Sequence, residues 1–83
     1  MNNHLFVTSK HEFKTLIRVA EAMSYKYDTF RISGHGKCMG KCCEVVALLL
    51  KRNRATVDNF EFGEEGDDWK YPTLDWVMRG NVK

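Results

Sequence analysis

The segment 33–43, Ser-Gly-His-Gly-Lys-Cys-Met-Gly-Lys-Cys-Cys, holds three glycines, His35, Lys37, Lys41 and all three cysteines of the chain. A glycine-rich turn that opens a helix presents unpaired N–H groups and a partial positive charge, which together suit a phosphate. Lys37 and Lys41 stand four apart, so on a helix they add two cationic heads to one side. The plainer alternative is a tight strand-to-helix turn with no ligand, and the residues fit both. Two nucleotide motifs come close and fail. A phosphate loop needs four residues between its glycines and then Lys with Ser or Thr. Here Gly36 and Gly40 enclose three residues, Gly34 and Gly40 enclose five, and Cys42 follows Lys41. A dinucleotide fingerprint needs glycine where Met39 stands. His35, Cys38 and Cys42 have the chemistry of zinc ligands, but a structural site wants four donors, and only Cys43 or the distant His4 and His11 remain. Cys38 beside His35 at a helix start has the setting of an activated thiolate, yet no third group is visible to orient a base. No catalytic residue, metal ligand or cofactor is therefore expected.

These residues have to be held by regular elements. Leu5-Phe6-Val7 is a short apolar run of strand formers. Ser9 followed by Glu12 has capping-box spacing. Phe13, Leu16, Ile17, Ala20 and Met23 then recur at helical intervals, which predicts a helix over 10–23. Residues 29–33 alternate, with Phe30 and Ile32 on one face, and predict a second strand. From 37 to about 54 the period is helical again, through Met39, Cys42, Cys43, Val46, Leu49 and Leu50. Val45 and Leu48 widen that helix's apolar surface beyond one stripe, as expected of a helix buried on two sides. Residues 57–62 and 74–79 alternate as third and fourth strands around a turn at 63–68, with Pro72 just ahead of the last strand. The order β-α-β-α-β-β predicts an α+β fold: two layers, with two helices on one face of a four-stranded mixed sheet.

Length and charge narrow the function. With 83 residues the chain is one small domain, 1–83, with a thin core. Apolar residues at 43% and charged residues at 29% are those of a globular protein rather than a disordered one. The longest apolar run, Val45–Leu50, is far short of a membrane span. No secretory leader is read in the polar start Met1-Asn2-Asn3-His4. Three cysteines within six residues make an odd, clustered set, pointing to reduced thiols and an intracellular location, nuclear or cytoplasmic. Residues 1–56 carry ten Lys or Arg against four Asp or Glu, a net +6. Residues 57–83 carry three against seven, a net −4. A basic front and an acidic back point to an anionic partner for part of the surface.

From about Lys10 to Glu65 the chain resembles the Alba superfamily of small nucleic-acid-binding proteins. The resemblance rests on 30–41, Phe-Arg-Ile-Ser-Gly-His-Gly-Lys-Cys-Met-Gly-Lys, on the helical stretch 44–52 ending in Lys51-Arg52, and on 57–65, Val-Asp-Asn-Phe-Glu-Phe-Gly-Glu-Glu. It implies a dimer, of like or related chains, that binds the backbone of RNA or DNA and is not an enzyme. The family's basic positions fall on Lys10, His35, Lys37 and Lys41. With Gly36 in the turn and Lys14 farther along the first helix, these form the expected nucleic-acid site. Val45, Leu48, Arg52 and Phe60 form the expected dimer interface. Two departures stand out. Ser9 and His11 flank Lys10 where a second basic residue is usual, and the hairpin 63–68 is short and acidic where strong duplex binders carry a long basic arm. Either the arm bends away from the binding face or it reaches the nucleic acid and weakens its binding, and the second is expected. Trp76 shares its phase with Leu74 and Met78 and is expected in the core. Trp69 and Tyr71 are the better stacking candidates, and Tyr25-Lys26-Tyr27 is a small basic-aromatic patch. The rival reading is a non-catalytic scaffold subunit of a ribonucleoprotein or chromatin assembly.

Overall fold

A computed structural model describes residues 3–68 and 70–81. Strand β1 is His4–Val7, helix α1 Phe13–Lys26, strand β2 Thr29–His35, helix α2 Met39–Lys51, strand β3 Ala55–Glu65 and strand β4 Tyr71–Gly80. A 3-10 turn, Gly36–Cys38, joins β2 to α2. The sheet order is β1-β2-β4-β3. β1 runs parallel to β2, while β4 pairs antiparallel with both β2 and β3. This is the two-layer α+β arrangement the periodicities predict.

Alternation places one face of the sheet under the helices. Phe30 and Ile32 of β2 and Leu74 and Met78 of β4 are buried there with Leu5 and Val7 of β1. Leu16, Ile17, Ala20 and Met23 of α1, with Cys42, Val45, Val46 and Leu49 of α2, close over them. Trp76 is partly buried and packs against this cluster. At two places the layers meet too closely for a side chain. A Cβ on Gly34 would lie 2.9 Å from Cys42 Cβ, and one on Gly80 would lie 2.3 Å from the Ser24 carbonyl oxygen.

Several element ends differ from the sequence expectation. α1 starts a turn later than residue 10, with Glu12 and not Ser9 as its N-cap. The reason is local: residues 8–11 close a turn of their own, in which the His11 N–H donates to the Thr8 carbonyl at 3.3 Å and Thr8 Oγ1 meets His11 Nδ1 at 3.1 Å. α2 is shorter at both ends, because the 3-10 turn takes up 36–38 and left-handed Asn53, at φ 56°, follows its C-cap. β3 runs on to Glu65 and β4 begins at Tyr71, so part of the expected turn is a paired two-stranded arm. Pro72 pairs with Glu64 within that arm. It lies past the last β2–β4 pair, His35 with Thr73, where one edge of β4 is free and proline is tolerated.

β3 also has an irregularity at Asp58, where the register shifts between Val57 and Asn59. The bulge keeps Val57 and Phe60 on the same face although they are three apart, because they pair with Met78 and Trp76 respectively.

Candidate nucleic-acid interface

β1 and β2 run parallel, so their carboxyl ends open on the same edge of the molecule. β1 leads into the loop 8–12, and β2 leads into the glycine turn. Gly36 adopts φ +58°, a conformation that favours glycine, and so turns the chain into α2. No side chain caps the N-terminus of α2, and its first turn holds no acid. Lys37 is exposed on the 3-10 turn, and Lys41 lies in the first turn of α2. Lys41 Nζ donates to the His11 carbonyl at 3.0 Å, which ties α2 to the loop before α1. A cleft of about 360 Å³ lies between the two loops, lined by Thr8, Ser9, His35, Gly36, Lys37 and Cys38. Exposed Lys10 sits in the same loop as Ser9 and His11. The structure therefore brings Lys10, His35, Gly36, Lys37 and Lys41 to one end of the molecule. Chemically this end offers three ammonium groups and a helix N-terminus to an anion.

Lys14 is placed elsewhere. It lines a groove between the two helices together with Phe13, Ile17, Arg18, Glu21, Leu48 and Arg52. Two residues expected at the dimer interface, Leu48 and Arg52, thus share a groove with a residue expected to bind nucleic acid. Arg52 pairs with Glu21 across it. Val45 requires a correction. It is 0% exposed and lies in the chain's own core, so it has no surface to offer a partner. The extra apolar width of α2 is covered by this chain's own layers at that position. Phe60 is 45% exposed on the edge strand and packs on Trp76 with ring centroids 4.5 Å apart. Leu50, Val57 and Phe62 are also exposed, a feature the sequence reading missed.

The acidic arm starts beside the basic end. His35 pairs with Thr73 in the sheet, and its ring centroid lies 5.1 Å from that of Tyr71. Tyr71 in turn pairs with Glu65. Of the other aromatic candidates, Tyr25 accepts a hydrogen bond from Arg54 at 2.9 Å, and Lys26 Nζ lies 5.7 Å from the Tyr27 ring. Trp69 lies outside the described residues.

Cys42 is buried in the core. Burial, followed by the neighbouring Cys43, pushes the Cys42 thiol up to about 12, so it stays protonated. Among the described residues no group of three or more His, Cys, Asp or Glu is placed to hold a metal. On the open face of the sheet His4 Nε2 meets Ser33 Oγ at 2.7 Å, and Ser33 donates to Asp75 at 2.7 Å. Arg31 pairs with the same carboxylate. Partial burial and the Arg31 charge hold His4 below its usual range, which favours the neutral ring in this network.

No family model matches the chain, and no curated protein matches it. Solved structures do. ALBA1 from Trypanosoma brucei superposes with a TM-score of 0.87 at 11% identity, over 96% of this chain and 70% of that one. Alba from Thermoplasma volcanium superposes with a TM-score of 0.78 at 14% identity, over 93% of this chain and 99% of that one. The chain has the Alba fold, in agreement with the resemblance read from residues 10–65. Among the described residues no helix is long and apolar enough to cross a membrane.

Proposed function

We propose that this chain is an Alba-like nucleic-acid-binding protein, not an enzyme. It holds RNA or DNA by the phosphate backbone at the end formed by Lys10, His35, Gly36, Lys37 and Lys41. The observation that carries the reading is the meeting of three lysines, from two loops and a helix start, around an uncapped helix N-terminus. Contacts of this kind position a strand without reading its bases, so sequence preference is weak. The natural setting is intracellular, nuclear or cytoplasmic, and the binding unit is a dimer of this chain with itself or a related one.

Of the residues the sequence indicates for a dimer, this reading keeps Phe60 and replaces Val45, Leu48 and Arg52 with Leu50 and Val57. Leu50 is 43% exposed, Val57 38% and Phe60 45%. Leu50 lies two residues, about 200° around the helix, from Leu48. The apolar side of α2 available to a partner is therefore not the side that faces α1. A contiguous exposed apolar patch marks an interaction surface, and Val57 and Phe60 share one face of the edge strand. Phe60→Glu is expected to convert a dimer at micromolar concentration into a monomer of 9.7 kDa, read by sedimentation. A dimer unchanged in that variant would remove this surface from the account. The same apolar strip also favours the scaffold-subunit reading, in which a related chain covers it within a larger assembly.

The arm supplies a second expected result. Glu65 pairs with Tyr71, which packs on His35, so its charge lies close to the basic end and within roughly one screening length of a bound strand. Changing Glu64, Glu65, Asp67 and Asp68 to Gln and Asn is expected to tighten binding by several tenths of a kcal/mol per charge, a scale suited to exposed groups. Titration of RNA at fixed salt reads it. An unchanged affinity would mean that the arm bends away from the ligand.

A further inference from the structure

The groove between α1 and α2 has an apolar floor and a basic rim. Ile17 and Leu48 form the floor, Phe13 stands 37% exposed at its side, and the cavity is about 320 Å³. Lys14 and Arg18 lie one helical turn apart on the rim and make no ion pair among the described residues. Arg52, at the same groove, is already paired with Glu21. The chemistry that fits is an apolar side chain followed by carboxylates.

The same chain carries such a segment. Phe62, at 64%, is the most exposed large apolar residue among those described. Glu64 follows two residues later, and in a strand that spacing puts both side chains on one face, roughly 7 Å apart. Lys14 and Arg18, four residues apart on a helix, are separated by about 6 Å. Asp67 and Asp68 continue the negative charge into the turn, and none of these acids makes an ion pair among the described residues. Within one molecule the arm is held away from the groove, because the β3–β4 ladder stays paired from Ala55–Gly80 out to Glu65–Tyr71.

We infer that the acidic arm of one copy docks in the α1–α2 groove of a second copy, with Phe62 on the apolar floor and Glu64, Asp67 and Asp68 against Lys14 and Arg18. The charge complementarity of this contact is local: Lys14 and Arg18 on the groove rim against Glu64, Asp67 and Asp68 on the arm. The contact is head-to-tail, so it propagates into rings or open chains rather than closing on itself as a two-fold pair does. It uses other residues than Leu50, Val57 and Phe60 of the proposed dimer surface, and it needs no nucleic acid.

Sedimentation velocity of the full chain at tens of micromolar, without nucleic acid, tests the inference. A species larger than the dimer is expected at 50 mM salt and is lost at 500 mM, where exposed charges are screened. Lys14→Glu with Arg18→Glu should abolish that species and leave the dimer. Glu64→Lys with Asp67→Lys and Asp68→Lys should do the same. In each variant alone, arm and groove have like charge. Mixed in equal amounts, the two variants present opposite charges to one another, and the larger species should return. Circular dichroism confirms that each variant is folded. The inference is overturned if no larger species forms at low salt, if either variant retains it, or if the mixture fails to restore it. Failure of RNA binding leaves this readout untouched, so the two proposals fail separately.

Discussion

A chain carrying Lys10→Glu, Lys37→Glu and Lys41→Glu is expected to lose nucleic-acid affinity by about a hundredfold or more while remaining folded. The three side chains are the ammonium groups of the proposed site, and Lys41 is held there by its bond to the His11 carbonyl. A phosphate contact is an exchange of a condensed counterion for a protein cation, so removing the cation removes both the contact and part of the salt dependence. Lys37→Glu alone should weaken binding to all sequences alike and flatten the log–log salt plot by about two for a dimer. Lys14→Glu is the internal comparison. Lys14 lies in the groove between the helices, so its reversal should cost much less RNA affinity than that of Lys37. Filter binding or fluorescence anisotropy at fixed salt reads all three variants. Equal losses for Lys14 and Lys37 would mean that the nucleic acid runs over the helical layer instead.

Gly80→Ala is expected to be the most damaging small change to the fold. The added Cβ would lie 2.3 Å from the Ser24 carbonyl oxygen and 2.9 Å from that of Tyr27. Both are backbone atoms, and the end of β4 is pinned against them by the Gly80 N–H, which donates to the Asp28 carbonyl at 3.0 Å. Neither side can yield without breaking the seam between α1 and the sheet. A cost of about 2–3 kcal/mol is expected, as for an overpacked core. In a domain of this size that lowers the melting temperature by roughly 10–20 °C. Gly40→Ala is the control, because a Cβ there meets nothing within 4 Å. In a helix that change should stabilise by about 0.5–1 kcal/mol. Thermal melts of the two variants should therefore move in opposite directions. A Gly80→Ala melt equal to wild type would show that the α1–β4 contact is looser than described.

Most of the architecture is legible in local patterns. Period-two alternation in 29–33 and helical spacing through Phe13, Leu16, Ile17, Ala20 and Met23 report the element types directly, because a side chain's burial there depends on its own element's geometry. Where two local signals compete, the boundary shifts: Thr8 and Ser9 can cap a helix or close a turn, and the turn to His11 prevails. Val45 shows a different limit. Apolar width on α2 reports that a second side is covered, but not by what, and the covering layers belong to the same chain. The exposure of Phe60 and Phe62 on β3 was invisible for a related reason. At about 3.3 Å per residue its eleven residues span roughly 36 Å, against about 20 Å for the thirteen of α2. The edge strand outruns the helix that would otherwise hide Phe60 and Phe62.

The candidate site divides in the same way. His35, Gly36, Lys37 and Lys41 are neighbours in sequence, and a glycine turn into a helix announces them. Lys10 joins them through topology, because the parallel β1–β2 pairing brings the loop 8–12 to the same edge as the turn. Lys14, only four residues on, is carried away by the helix onto another face.

The most direct test of backbone binding is the salt dependence of affinity for plain duplex and for single-stranded RNA, measured at several concentrations between 50 and 200 mM. Three lysines per protomer allow a dimer to neutralise up to about six phosphates, which predicts a log–log slope near −5 on duplex DNA and a shallower one on single strands. On the duplex, affinity should fall about a thousandfold across that range, alike for unrelated sequences. A flat salt plot, or no binding to any of these nucleic acids at 50 mM salt, would contradict the account.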